Sequence, residues 1–346
     1  MITPPLPPEI LGRFPGLDAL GRTTTRLHPR PGAVTARQSH VGGPLLWPAD
    51  EPWPACGTPH LANEDVPIPE DVVARMRAAE ASRTVRNVLA PGEAELYQEI
   101  ARLVGPGFSG WGSRNGGPLL GHRTVARPHA LANPMLAAAQ LRADDVPDLP
   151  RPGGADLLQV LMCPFDHDAE EGFGPVVRLR WRREADVSEV WDEPPRGEIG
   201  DDGYVPRQCR LHPERVVEYP YPEELPDGLR EEVTAWVEEG GNYVGMFMAA
   251  GWKVGGYAGW GVTDPVPMPC PRCARPMPLL LTMDTFEYDD DMFVRWRPVE
   301  ERHVTFDHAD RARSQEPTGV MMGRGGSLRV FACLNCPDAP HRVDIQ

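Results

Sequence analysis

The sequence is almost without lysine. Lys253 is the only one in 346 residues, and arginine supplies the rest of a basic complement of 35. Asp and Glu number 50, so the formal charge is 35 − 50 = −15. A chain so poor in positive charge lacks the basic footprint that phosphate backbones need, which argues against nucleic-acid binding. It also lacks the polybasic stretch of an electrostatic membrane anchor. It has no run of eighteen apolar residues, so no membrane-spanning helix is expected. Met1 to Pro8 offer neither a basic region nor an apolar core. No signal peptide is therefore expected, and the expected location is the cytoplasm. In a reducing compartment, the seven cysteines point to metal ligands or core residues rather than disulfides.

What is present suits a folded, turn-rich protein. Apolar residues make up 41%, which excludes global disorder. Pro 41 and Gly 35 imply many turns and short strands rather than a few long helices. Helical spacing of apolar residues predicts helices over 70–82, 93–104 and 225–239. Alternating or continuous apolar runs predict strands over 157–162, 177–181, 186–191, 215–219, 279–284, 292–297, 303–307 and 327–332. The glycine-rich stretch 105–118 reads as a loop.

A weak internal repeat organises the chain. Val41-Gly42-Gly43 precedes Trp47, Pro52, Pro54 and Cys56, and Val254-Gly255-Gly256 precedes Trp260, Pro265, Pro267 and Cys270. Pro134-Met135 and Pro276-Met277 then each open an apolar run. Leu158 to Cys163 aligns with Leu328 to Cys333. An ordered series of landmarks is the mark of a duplication. The expected fold is α+β and β-dominated, with two related halves and zinc knuckles. Its expected parts are a Pro/Arg-rich segment 1–39, a first half 40–215 with a helical insertion, and a connector helix plus second half 216–346.

The chemistry concentrates in cysteine and histidine. Cys270-x2-Cys273 and Cys333-x2-Cys336 are two C-x2-C pairs, and two such knuckles complete a four-thiolate zinc site. At the corresponding places the first half has Cys56-x3-His60 and Cys163-x3-His167, which would make a second, Cys2His2 site. A four-thiolate zinc has no open position for water and is a poor Lewis acid, so a structural metal is expected. Cys209 has no partner and reads as core. Pro269-Cys270-x2-Cys273 with His212-Pro213-Glu214 imitates the zinc-deaminase signature, but the histidine sits in a predicted strand where that signature needs a helix start. Gly105-x-Gly107-x-x-Gly110 imitates a dinucleotide fingerprint, but it follows a helix and opens none. Two acidic clusters, Asp166/Asp168/Glu170/Glu171 and Glu287/Asp289/Asp290/Asp291, read as solvated loops or as an anionic face for a basic protein partner. Trp47 and Trp260 read as core anchors.

Val41-Gly42-Gly43-Pro44 with Trp47-Pro48, the Leu136–Leu141 run with Gln140, and the strand 157–162 resemble the YwqG-like family of uncharacterised bacterial proteins. The second half is similar, more distantly, to the programmed-cell-death-protein-2 and ribosome-maturation family. The residues that carry this are Lys253 to Gly256, Trp260, the 270–273 pair, Pro276 to Leu281 and Val330 to Cys333. That resemblance implies two similar halves and, for some members, a chaperone role toward a new ribosomal protein. The chain departs from the first family in its Cys and His pairs and from the second in its long Pro-rich first half. The expected function is a zinc-stabilised, non-enzymatic protein-binding module with an acidic surface, chaperone-like or inhibitor-like. The alternative is a zinc-dependent hydrolase or deaminase using the first-half Cys/His site, with His167 and Asp166 or Asp168 as the base.

Overall fold

In a computed structural model of the chain, the described residues are all but 84–88, 114–117, 128–131, 170–171, 192, 290, 305–307 and 324. The expected strand 303–307 and the acidic residues Glu170, Glu171 and Asp290 fall wholly or partly outside them.

The architecture is β-dominated. Two antiparallel sheets share one apolar core, to which the larger contributes Val41, Ala139, Leu141, Leu158, Val160 and Met162. The smaller contributes Val254, Leu281, Met283, Leu328 and Val330 to the same cluster. The smaller sheet runs Glu214–Glu218, Arg22–Arg26, Lys253–Gly255, Leu279–Asp284, Ser327–Ala332, His341–Ile345. The centre of the larger sheet runs Cys209–Arg210, His40–Val41, Leu136–Arg142 and Leu157–Ala169. Beyond these lies an arm of Leu119–Arg127 and Phe108–Ser113, attached through His60–Pro67.

The two sheets repeat one register. His40 faces Gln140 and Val41 faces Ala139, just as Lys253 faces Thr282 and Val254 faces Leu281. Gln140 then faces Gln159, and Leu141 faces Leu158. In the other sheet Thr282 faces Arg329, and Met283 faces Leu328. Both ladders slip by one residue at the same step. Ala139 and Ala137 face Val160 and Leu161, while Leu281 and Leu279 face Val330 and Phe331. A bulge is a specific local device, so its recurrence at one step is a strong correspondence.

The strand beside each Gly-Gly turn comes from a crossing segment. Arg26 faces Lys253 and Arg210 faces His40. These residues begin the identical tetrapeptides Arg26-Leu27-His28-Pro29 and Arg210-Leu211-His212-Pro213. Each crossing segment then enters the opposite sheet, as Arg30–Pro31 and Glu214–Glu218.

The predicted helices form as Glu70–Ala81, Glu93–Val104 and Asp227–Glu238. The strands 279–284 and 327–332 appear with the predicted bounds. Three expectations need correction. The 186–191 stretch makes one bridge, Val190 to Pro48, after a 3-10 turn at Glu184–Asp186, because Val187 anchors a loop instead of joining a ladder. The 292–297 stretch holds the 3-10 turn Val294–Trp296, whose Trp296 is buried beneath the arginines Arg26 and Arg295. The 105–118 loop contains the strand Phe108–Ser113, which pairs with Leu119–Leu120 and His122–Arg123 among others. Gly107, at φ +83°, is needed there: a Cβ would lie 2.1 Å from the Thr124 carbonyl oxygen. Among the described residues, no helix is long and apolar enough to cross a membrane.

Candidate metal centres

The eight singled-out residues gather into two tetrads. In each, the four ligand atoms lie within 4.8 Å of one another. One is Cys56, His60, Cys163 and His167; the other is Cys270, Cys273, Cys333 and Cys336. All seven cysteines are free thiols.

The four-cysteine centre is built from two turns. The first pair caps a hairpin: the Cys270 N–H donates to the Arg275 carbonyl at 2.8 Å and the Ala274 N–H to the Cys270 carbonyl at 2.9 Å. Ala274 takes φ +56° to close that turn. The Arg272 N–H points at the Cys270 sulfur, 3.4 Å away. The second pair links the strands Ser327–Ala332 and His341–Ile345, and the Cys333 N–H donates to the Pro340 carbonyl at 2.8 Å. Sulfurs of the two pairs interleave, Cys270 to Cys336 at 4.0 Å and Cys273 to Cys333 at 3.7 Å. A tetrahedron with zinc–sulfur arms of ~2.3 Å has edges of about 3.8 Å, close to these two distances.

The mixed centre is built on strands. Cys163 and His167 share the strand Leu157–Ala169, where they would sit too far apart in a regular ladder. Between Met162 and Asp166 that strand advances four residues while its partner moves only from Val177 to Pro175. This bulge brings both side chains to one point. Cys56 ends the short strand Ala55–Cys56, and His60 begins the arm strand His60–Pro67. Cys163 Sγ lies 3.3 Å from His60 Nε2, and Cys56 Sγ lies 3.8 Å from His167 Nε2. Mixed nitrogen and sulfur arms give edges of about 3.5 Å. His167 uses Nδ1 on the Pro59 carbonyl, 2.9 Å away, which leaves Nε2 for a ligand role; this is the usual outer-shell support of a metal-binding histidine. His60 stacks on Phe165 with ring centroids 4.3 Å apart.

The protonation pattern also suits a dication. The Cys163 thiol hydrogen-bonds to Cys56 and, against the cost of burial and with His167 and His60, holds its pKa down near 2. That thiolate, together with burial, pushes the Cys163 thiol up. At the other centre burial opposes ionisation of Cys270, yet the N–H groups of Cys273 and Arg272 and the neighbouring thiols bring it down to about 6. Cys336, hydrogen-bonded to Cys273 and desolvated, is pushed up to about 12. At each centre the neighbouring thiols thus differ in how readily they ionise, and a bound metal would displace any thiol proton that remains.

The surroundings of the tetrads correspond as well. Trp47, Cys56, Met135, Leu161 and Cys163 form one buried cluster. Trp260, Cys270, Met277, Phe331 and Cys333 form the other. Trp47 and Trp260 are therefore core anchors, and Cys209 is buried with its thiol on the Pro317 carbonyl at 3.3 Å.

The acidic clusters differ from their expected form. Glu287 is 2% exposed and holds Arg26 and His28, so it belongs to a buried network. Asp166 is 6% exposed and accepts from the Tyr204 hydroxyl at 2.5 Å, with its carboxyl raised by burial. His212-Pro213-Glu214 leads into the strand Glu214–Glu218, far from a deaminase helix start. Asp166 and His167 line the floor of a cleft of about 930 Å³. No protein-family model matches the chain, and no curated protein matches it either.

Proposed function

We propose that this protein is a zinc-stabilised, non-enzymatic binding module whose acidic surface receives a basic protein partner. One observation carries the reading: at both centres four Cys or His ligand atoms gather within 4.8 Å of one another, a grouping compatible with one tetrahedral ion. A zinc ion held so has no position left for water, which is the condition of a structural site. Each ion would tie two separate segments of the chain together, and the mixed centre would fix the arm to the body at His60. The charge of −15 favours encounter with a cationic surface over one with nucleic acid. A reducing cytoplasm, where free thiols persist, suits this role.

We also propose that the halves descend from a duplication, with the YwqG-like and programmed-cell-death-protein-2-like groups as relatives. The shared register, the recurrent bulge and the repeated Arg-Leu-His-Pro support it.

The test is metal content followed by capture. Native protein should hold two zinc ions per chain, and a Cys56→Ala/Cys163→Ala variant one. Metal-free native protein would refute the structural role. A partner captured from the host should associate more slowly as salt rises. The hydrolase reading draws on the place of His167 and Asp166 on the cleft floor. Turnover abolished by Asp166→Asn at unchanged metal content would favour it.

A further inference from the structure

The register places Arg26 and Arg210 in equivalent positions, yet their surroundings differ. Arg26 is fully buried and caged by oxygen. It donates to the carbonyls of Ala250, Trp296 and Glu287 at 3.0 Å each, to Thr3 Oγ1 at 2.8 Å and to Glu287 Oε1 at 3.1 Å. Most of these acceptors belong to residues 285–326, which join two strands of the smaller sheet. The equivalent connection in the larger sheet is only 143–156. Among the described residues, none of that connection accepts a hydrogen bond from Arg210.

A pocket of about 370 Å³ stands there instead, lined by Arg37, Ser39, Arg142, Asp145, Arg210 and His212 among others. Arg210 spends its Nε on the Ala33 carbonyl at 2.9 Å, and its terminal nitrogens have no acceptor among the described residues. Arg142 pairs with Glu184 at 2.8 Å, and Arg37 reaches the same carboxylate at 3.6 Å. Asp145 accepts from buried Ser39 at 2.6 Å. The lining thus holds three arginines against one carboxylate, Asp145, with Glu184 and Asp144 beside Arg142, on a chain of charge −15. Burial, then the N-terminal ammonium, Arg30, His28 and Arg210, lower the pKa of His212.

We propose that this pocket binds an oxyanion, a carboxylate or phosphate group, which supplies to Arg210 the acceptors that Arg26 receives from its own chain. The volume suits a small anion or the anionic end of a larger ligand, and a planar guanidinium with free terminal N–H groups suits two oxygens at once. The inference stands apart from the zinc and partner readings, since no tetrad residue lines the pocket.

The experiment is titration of the metal-loaded full chain with inorganic phosphate and, separately, with malonate at constant ionic strength, followed by calorimetry and amide chemical shifts. Saturable binding is expected, with shifts centred on residues 37–39 and 210–213. Binding of phosphate alone or malonate alone would assign the source. Arg210→Ala should weaken it at least about tenfold. Arg37→Ala, an exposed substitution that leaves the fold intact, should also weaken it. No saturation by either anion up to about 10 mM, or binding unchanged in both variants, overturns the proposal.

Discussion

The sole lysine sets the sharpest test of how the two halves differ. Lys253 is 3% exposed, and its ammonium meets Glu218 at 2.6 and 2.8 Å and the Tyr257 carbonyl at 2.8 Å. Glu218, fully buried, also accepts from the N–H groups of Ala249 and Tyr257, both at 2.8 Å. At the equivalent place, His40 approaches the Pro44 carbonyl at 3.0 Å through Nε2 and accepts from the Gly43 N–H at 3.2 Å through Nδ1. The position of Glu218 is taken by Val34, whose methyl lies under Gly43 much as the Glu218 carboxylate lies under Gly256. Pro44 stands where Tyr257 stands, and proline has no N–H to satisfy. Each half therefore closes its Gly-Gly turn consistently, one with an ion pair and one with neutral groups.

Glu218→Val should be severe. It strands a buried ammonium, at about 3–5 kcal/mol for one broken buried pair. It also orphans two buried N–H groups, at about 1–3 kcal/mol each before relaxation. We expect at least about 4 kcal/mol of lost stability. Lys253→Met should cost less, because the carboxylate keeps its two N–H donors. Adding Lys253→His and Tyr257→Pro to Glu218→Val rebuilds the first-half arrangement and should recover much of the loss. Urea denaturation of zinc-loaded protein, with metal content checked, measures all three. Glu218→Val within about 1 kcal/mol of the parent, or Lys253→Met more damaging than Glu218→Val, would refute the reasoning.

Three further outcomes follow. His40 is pushed down by burial to about 4 from an ordinary 6.5, so the unfolded chain takes up this proton first. Its contribution, about 3 kcal/mol at most, should be complete above pH 6.5 and lost as pH falls towards 4; comparing His40→Gln with the parent across that range should show the difference shrinking in acid. Cys273 is exposed and Cys336 half-buried, whereas all four residues of the mixed centre are buried. A chelator should therefore strip zinc in two phases, and the faster phase should vanish in Cys273→Ser. Asp289→Asn with Asp291→Asn should slow partner association at low salt more than it speeds dissociation, and an association rate indifferent to both salt and substitution would exclude that acidic loop from recognition.

Much of the metal chemistry was legible because cysteine and histidine spacing is local. The pairs 270/273 and 333/336 announce their turns, and the first-half pairs emerge only when the repeat is aligned. The ligand bulge at 162–166 left no local sign, since nothing in Cys163-Pro164-Phe165-Asp166 spells out a slipped register. Arg22–Arg26 was also hidden. Its Arg-Thr-Thr-Thr-Arg has no apolar alternation, yet it is a central strand with Thr24, Thr25 and Arg26 fully buried. Tertiary partners meet the polar demand: Thr25 donates to Asp148 at 2.8 Å and Thr24 to the Val254 carbonyl at 3.0 Å. Hydrophobic periodicity is blind to a strand buried through hydrogen bonds. The repeated Arg-Leu-His-Pro was a signal available in the sequence, and it marks the crossing segments better than any hydrophobic pattern does.

The unequal connections explain why one scaffold has different surfaces. In the first half the long insertion follows His60, and it becomes the arm that helps line the cleft through Asn63, Ser109 and Thr124. In the second half the insertion lies between the paired strands, where residues 285–326 fold over Arg26. Both insertions leave the shared ladders and their bulges intact, because they enter at strand ends where a longer loop costs little entropy. The mixed centre sits where the arm enters, at His60, whereas the four-cysteine centre sits at the far ends of the two strands that 285–326 joins. A closed ion at the mixed centre would let the arm beyond it vary while the core register stays fixed. On this reading, removing the mixed-centre metal should loosen the arm before it loosens the sheets. Amide exchange after Cys56→Ala/Cys163→Ala should therefore rise first in 60–67 and 119–127, while 279–284 stays protected. Equal loss of protection across both sheets would show instead that the ion supports the whole core.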